Sequence, residues 1–141
     1  EITIVTGVQT CALPICLTVF VLVWLRLFAR SLGVAPKIVP APPQWQSLLA
    51  TLMHIALYAL MIGMPIAGWL IVSAQGHSVM FYGIELPPLI GENKDLSKQI
   101  KEWHELGGAI GYWLIGLHAA AGLYHHYFMR DNTVLRMIPK R

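Results

Sequence analysis

KEWHELGGAIGYWLIGLHAAAGLYHHYFMR, residues 101–130, decides how this chain folds. After Glu105 it carries no Lys, Arg, Asp or Glu until Arg130. A membrane-spanning helix needs ~20 mainly apolar residues, and this uncharged run supplies them. Within it, His104 and His118 stand fourteen residues apart. That is nearly four whole turns at ~3.6 residues per turn, so both face the same way. At ~1.5 Å per residue they lie about 21 Å apart along the axis. One metal ion cannot join them. Two separate cofactors, one per histidine and stacked across a membrane, can. Ionisable groups inside a span are expensive and usually functional.

The same stripe is rich in small residues: Gly107, Gly108, Gly111 and Gly122 lie on or beside it. Two readings stand side by side. Glycines can open room for something flat and wide, and neutral imidazole is an axial ligand for haem iron. Alternatively, Gly107 to Gly111 is a GxxxG pattern for close helix packing, and a lone intramembrane histidine simply hydrogen-bonds a neighbouring helix. His54 is about nine residues into the preceding apolar block, at a depth similar to His118. It fits a ligand, a proton relay beside a quinone, or a packed core histidine. His125 and His126 fall at the membrane boundary, one facing headgroups or water and the other free to line a quinone pocket. His77 belongs to an exposed loop.

The rest of the composition agrees with a membrane class. The chain has 141 residues, 56% hydrophobic and 12% charged, against about 25% charged in soluble domains. A second block, Gln44 to Ile84, also lacks charges. The net charge of +3 does not mark a nucleic-acid binder, because the basic residues form three groups rather than one face. Arg26, Arg30 and Lys37 follow the first apolar run. Lys94, Lys98 and Lys101 mix with Glu92, Asp95, Glu102 and Glu105. Arg130, Arg136, Lys140 and Arg141 close the chain. Basic residues collect on the cytoplasmic side of spans. With three spans, seven of the ten basic residues fall on one side, which makes the tail cytoplasmic. No Ser/His/Asp set, phosphate loop, HExxH or CxxCH occurs. Cys11 and Cys16 are not a CxxC pair.

Three helices are expected: residues 16–31, 45–72, and a third from about Leu96 to Arg130 whose membrane part is 101–129. Gly33, Pro36, Pro40, Pro42 and Pro43 make a stiff linker between the first two. Pro65 should kink the second helix. The segment 73–100 is a loop broken by glycines and prolines, and SVMFYGIELPPLIG within it reads as an amphipathic stretch along the membrane surface.

KEWHELGGAIGYWLIGLHAAAGLYHHYFMRDNTVLRMIPKR, MHIALYALMIGMPIAGW and VWLRLFARSLGVAPKIVPAPP together resemble the bacterial cytochrome b561 family of dihaem membrane proteins, over residues 16–141. The resemblance implies an all-α four-helix bundle in the bacterial inner membrane, with two b-type haems and a quinone oxidised or reduced at one side. It places His104 and His118 as iron ligands of the outer and inner haem. The cofactor-binding set is His104, His118 and His54, with Gly108 and Gly111 beside the ring. One group within the family passes electrons from superoxide to ubiquinone. Related cytochrome subunits dock to hydrogenases or formate dehydrogenases.

The chain departs from the family at its front. The family's partner ligands lie on its first helix and at the start of its second. Here the helix over 16–31 matches the family's second, and no histidine precedes His54. VTGVQTCALPI, residues 5–15, matches the translation of a common short-read sequencing adapter in one frame over eleven consecutive residues. The competing reading is a divergent helix start, which Pro14 should break. The expectation is therefore foreign sequence over 1–15 and three remaining helices of a four-helix bundle over 16–141, with haem held weakly. Expected partners are the lipid bilayer, ubiquinone as acceptor, and a periplasmic donor or dehydrogenase subunit. A haem-free membrane scaffold is the non-redox alternative.

Overall fold

The computed structural model describes residues 2–33 and 38–134, with side chains from Ala12 onward. Five elements follow in order: α1 (Ile2–Leu32), α2 (Gln44–Ala74), β1 (Val79–Phe81), β2 (Ile84–Leu86) and α3 (Lys94–Tyr127). Three helices are long and apolar enough to cross a membrane: α2, α3, and α1 from Ala12 to Leu32. α2 packs against both other helices, whereas α1 and α3 do not meet among the described residues. The helices thus stand in a row with α2 in the middle. Large apolar side chains stay exposed on the flanks, among them Leu22, Trp24 and Phe28 on α1 and Trp113, Ile115 and Leu117 on α3. A surface of that kind is unfavourable in water and ordinary in lipid.

α1 corrects the expected start at residue 16. The helix continues through Pro14 to Ile2. Pro14 costs the helix one N–H donor, but the following turn is reinforced where the Thr18 hydroxyl donates to the Pro14 carbonyl at 2.8 Å. Leu13 and Leu17 are buried together with Val72 of α2 and Val79 of β1.

α2 begins one residue before the expected Trp45, after an extended Pro43, and ends two residues after Val72. It runs unbroken through the buried Pro65. α3 starts earlier than expected because Asn93 caps it, its side chain accepting from the Leu96 N–H at 3.0 Å, with Asp95 in the first turn. Both features favour a helix N-terminus. It ends at Tyr127 rather than near Arg130, which adopts a positive φ of 51°.

The segment between α2 and α3 adds something to the all-α expectation. β1 and β2 form an antiparallel hairpin, pairing Val79 with Leu86 and Phe81 with Ile84. Tyr82 and Gly83 occupy the turn with φ of 48° and 88°, the positive pair that a two-residue hairpin turn requires. The hairpin is stitched to the helices. Trp69 Nε1 donates to the Pro87 carbonyl at 3.2 Å. The Leu89 N–H donates to Ser73 Oγ at 3.1 Å, and the Asn93 N–H to the Ala74 carbonyl at 2.8 Å. Tyr82 reaches α1, its hydroxyl 3.2 Å from Thr18 Oγ1.

Candidate haem-binding face and inner polar cluster

The α2–α3 contact brings the predicted residues together. The two helices run antiparallel, and each step up α3 is matched by a step back along α2. At the hairpin end His104 lies opposite Gly68: a Cβ added there would sit 3.8 Å from His104 Nε2. One turn on, a Cβ at Gly107 would come within 2.8 Å of Met64 Sδ, and one at Gly108 within 3.8 Å of Met64 Cε. Then a Cβ at Gly111 would lie 3.6 Å from Leu60 Cδ1. Finally His118 meets His54 edge to face, with ring centroids 5.3 Å apart at 73°. The glycines therefore line the side of α3 that faces α2, and Gly107 is the position where any side chain would collide. Gly122, nominally on the same stripe, has open space around it.

The donor chemistry fits haem. His54, His104 and His118 are half-buried; His54 and His118 face each other, and His104 stands among Glu102, Trp103 and Glu105 at the start of the span. Among the described residues no three His, Cys, Asp or Glu gather to hold a metal unaided. One or two imidazoles at each level are what an iron needs from the protein when a porphyrin supplies the remaining donors. Gly107, Gly108 and Gly111 are filled from α2 by Met64 and Leu60, so in this structure they serve the close approach of the two helices.

At the hairpin end, Lys94 pairs with Glu92 at 3.6 Å and Lys101 with Glu105 at 3.8 Å, all well exposed. His77 is exposed, its Nδ1 3.0 Å from the Gln75 carbonyl. Cys16 is a free, half-buried thiol. Cys11 and the tail residues Arg136, Lys140 and Arg141 lie outside the described side chains.

The opposite end holds a polar cluster that the reading of the histidines alone misses. His125 Nδ1 lies 2.6 Å from Asp131 Oδ2, and the Asp131 side chain is only 4% exposed. The Thr133 N–H donates to Asp131 Oδ1 at 2.9 Å, and the Asp131 N–H to the His125 carbonyl at 3.2 Å. Burial pushes the Asp131 carboxyl up. Hydrogen bonds from the Thr133 hydroxyl and N–H and from His125 outweigh it and hold the group below the ordinary carboxylate range. The next residue fastens this turn to the linker. The Val39 N–H donates to Asn132 Oδ1 at 3.0 Å, and the Asn132 N–H to the Val39 carbonyl at 3.3 Å. A cavity of about 50 Å³ lies between, walled by Pro40, Pro42, Pro43, Gln46, His125 and Asp131 among others. Gln46 Oε1 and His126 Nδ1 are buried without a hydrogen-bond partner. The available signals were the Asp-x-Thr turn pattern after the helix and the seven-residue step from His118 to His125.

Comparison with known proteins identifies the family. A family model described as prokaryotic cytochrome b561 matches residues 13–140. Cytochrome b561 homolog 1 of Escherichia coli K12 is 42% identical over 123 residues, covering 87% of this chain and 70% of the relative. The Yersinia pestis protein named "Probable superoxide oxidase CybB" is 38% identical over 125 residues, covering 89% and 71%. Cytochrome b561 homolog 2 of Escherichia coli K12 is 27% identical over 124 residues, covering 82% and 62%. With histidines facing the α2–α3 contact at two levels of three membrane-length helices, the chain belongs to the prokaryotic cytochrome b561 family, whose business is membrane electron transfer through haem.

Proposed function

We propose that this chain carries electrons through b-type haem between a donor at the hairpin end and the ubiquinone pool. The observation that carries the reading is the antiparallel α2–α3 register, which sets His104 and His118 on one glycine-lined face about four turns apart. His104 and His118 would each hold an iron. His54, already against His118 at 5.3 Å, is the side chain placed to act as second ligand or neighbour at that level. When bound, haem supplies one-electron redox chemistry. The protein's own part is to exclude water with the apolar flanks, orient the imidazoles, and set the two levels.

The tail end is assigned to the cytoplasm of a bacterial inner membrane, because seven of the ten basic residues fall there. The donor then meets the periplasmic hairpin end. Superoxide is the proposed donor, supported by the relative named for superoxide oxidation. Lys94, Lys98 and Lys101 are the cations at this end; Lys94 and Lys101 are paired with carboxylates, and Asp95 and Glu102 lie one helical turn either side of Lys98. The test is quinol formation by the haem-loaded protein in liposomes with superoxide as sole reductant. Quinol at a rate that rises with protein supports the reading, and none overturns the choice of donor.

A second reading has its own observation. Met80, Tyr82 and Ile84 are exposed on the hairpin, outside the span, which suits docking to a hydrogenase or dehydrogenase subunit. Co-purification of such a partner, lost in a Tyr82→Ser, Ile84→Ser double variant, supports it.

A further inference from the structure

The tail-side end of α1 carries two cations, Arg26 and Arg30, four residues apart. With Val23 they fall at i, i+3 and i+7, which is one face of a helix. Val23 is 1% exposed, so this face of α1 is a packed one, and among the described residues the helix that α1 packs against is α2. The exposed Leu22, Leu25 and Phe28 supply the lipid side instead. The positive charges of Arg30 and Arg26 both reach His54 on α2. Their own side chains are exposed and so open to a ligand.

The depths agree. From Gln44, where α2 begins, to His54 is about 15 Å along the axis, and from Arg26 to Leu32, where α1 ends, about 9 Å. The linker joins those two helix ends. With the ends level, Arg26 stands about 6 Å tailward of His54, roughly one turn, and Arg30 about 6 Å further. The His54–His118 pair therefore has two guanidiniums beneath it on the α1 side.

Nothing on the chain neutralises them. The ion pairs among the described residues are Lys94–Glu92, Lys101–Glu105 and His125–Asp131. α2 brings no Asp, Glu, Lys or Arg. The tail half of α3 brings His118, His125 and His126, and the turn after it Arg130 and Asp131. Asp131 is the one carboxylate at this end among the described residues, and His125 and Thr133 already hold it. Arg26 moreover lies inside the membrane-length segment Ala12–Leu32, where an uncompensated charge is expensive. The site lacks an anion, and the level it faces is the one where the histidines expect a haem. A b-type haem carries two propionate carboxylates on one edge, one for each guanidinium. The planar fork of an arginine matches a carboxylate with two parallel hydrogen bonds.

We infer that Arg26 and Arg30 take the propionate carboxylates of the haem at the His118 level, an inference that rests on the haem reading above. The pair then fixes which edge of the ring faces the tail. Its positive charge beside the iron also favours the reduced form. Both arginines are positioning residues.

The test uses the full chain in phosphatidylcholine nanodiscs, titrated with haem and with haem dimethyl ester, whose carboxylates are blocked. The wild type should bind haem at least ~10-fold more tightly than the ester. The Arg26→Gln, Arg30→Gln double variant should lose that preference. The Arg26→Lys, Arg30→Lys variant should keep part of it, with the same helical content. The glutamine variant should also lower the midpoint potential of the haem component that His118→Leu removes. A preference that survives the glutamine variant overturns the inference, and so does an unmoved potential. Should the pair serve lipid phosphate instead, the glutamine variant keeps the haem preference and loses retention of added phosphatidylglycerol, which overturns the inference as well. Wild-type protein that binds neither haem nor ester sinks the haem reading itself, and the inference with it.

Discussion

At the residue scale, two glycines of α3 separate packing from mere presence. Gly107 sits where a Cβ would be 2.8 Å from Met64 Sδ, whereas Gly116 has open space. Gly107→Leu should therefore push α2 and α3 apart and destabilise by ~1–3 kcal/mol, as overpacking does. Gly116→Ala should be neutral or gain up to ~1 kcal/mol from helix propensity. Thermal melts of the two variants in one detergent check the contrast. Asp131 makes the second residue-scale prediction. Its carboxyl is held below the ordinary range by Thr133 and His125 in spite of burial. A depressed folded value means that the stabilisation is fully present above the unfolded carboxylate value. It fades as pH falls through the folded value. The protection of the amides across the turn at Asp131–Thr133, taken relative to intrinsic exchange at each pH, should fall in acid, and Asp131→Asn should show the low protection already at neutral pH.

At the element scale, the hairpin is the test piece. Gly83 holds φ of 88°, so Gly83→Val should strain the turn by ~1 kcal/mol or more. Tyr82→Phe should lose the link to Thr18, worth ~0.5–1.5 kcal/mol. Limited proteolysis should then cut the 79–86 segment faster while the helices stay intact. The hairpin was also what sequence reading resolved least. α2 and α3 were legible because uncharged runs of membrane length are unmistakable and because His104 and His118 share a helical phase. Val79 to Leu86 is too short and too mixed to show alternation, and Tyr-Gly is a weaker turn signal than Asn-Gly. The α1 start misled in the other direction. Pro14 argues locally for a break, but a helix in apolar surroundings keeps its remaining hydrogen bonds. The His125–Asp131 pair was hidden for a different reason. It depends on the chain reversing after Tyr127, and no periodicity announces a tertiary hydrogen bond.

At the scale of the whole molecule, the row of three helices with α2 central carries its histidines on α2 and α3 only. The chain holds six histidines; besides His104 and His118 only His54 stands mid-span, since His125 and His126 fall in the last turn of α3 and His77 in the loop. A bis-histidine site at each of two levels needs four. The account therefore predicts less than two haems per polypeptide. A ratio of two for the present sequence would contradict it.

The most direct measurement is the reduced-minus-oxidised absorption spectrum of the purified chain after reconstitution with haem, recorded alongside His104→Leu and His118→Leu. The account predicts the sharp α band of a low-spin b-type haem, diminished in each single variant and abolished in the double variant, with helical content unchanged. A colourless wild-type preparation, or a band that both substitutions leave untouched, would contradict it.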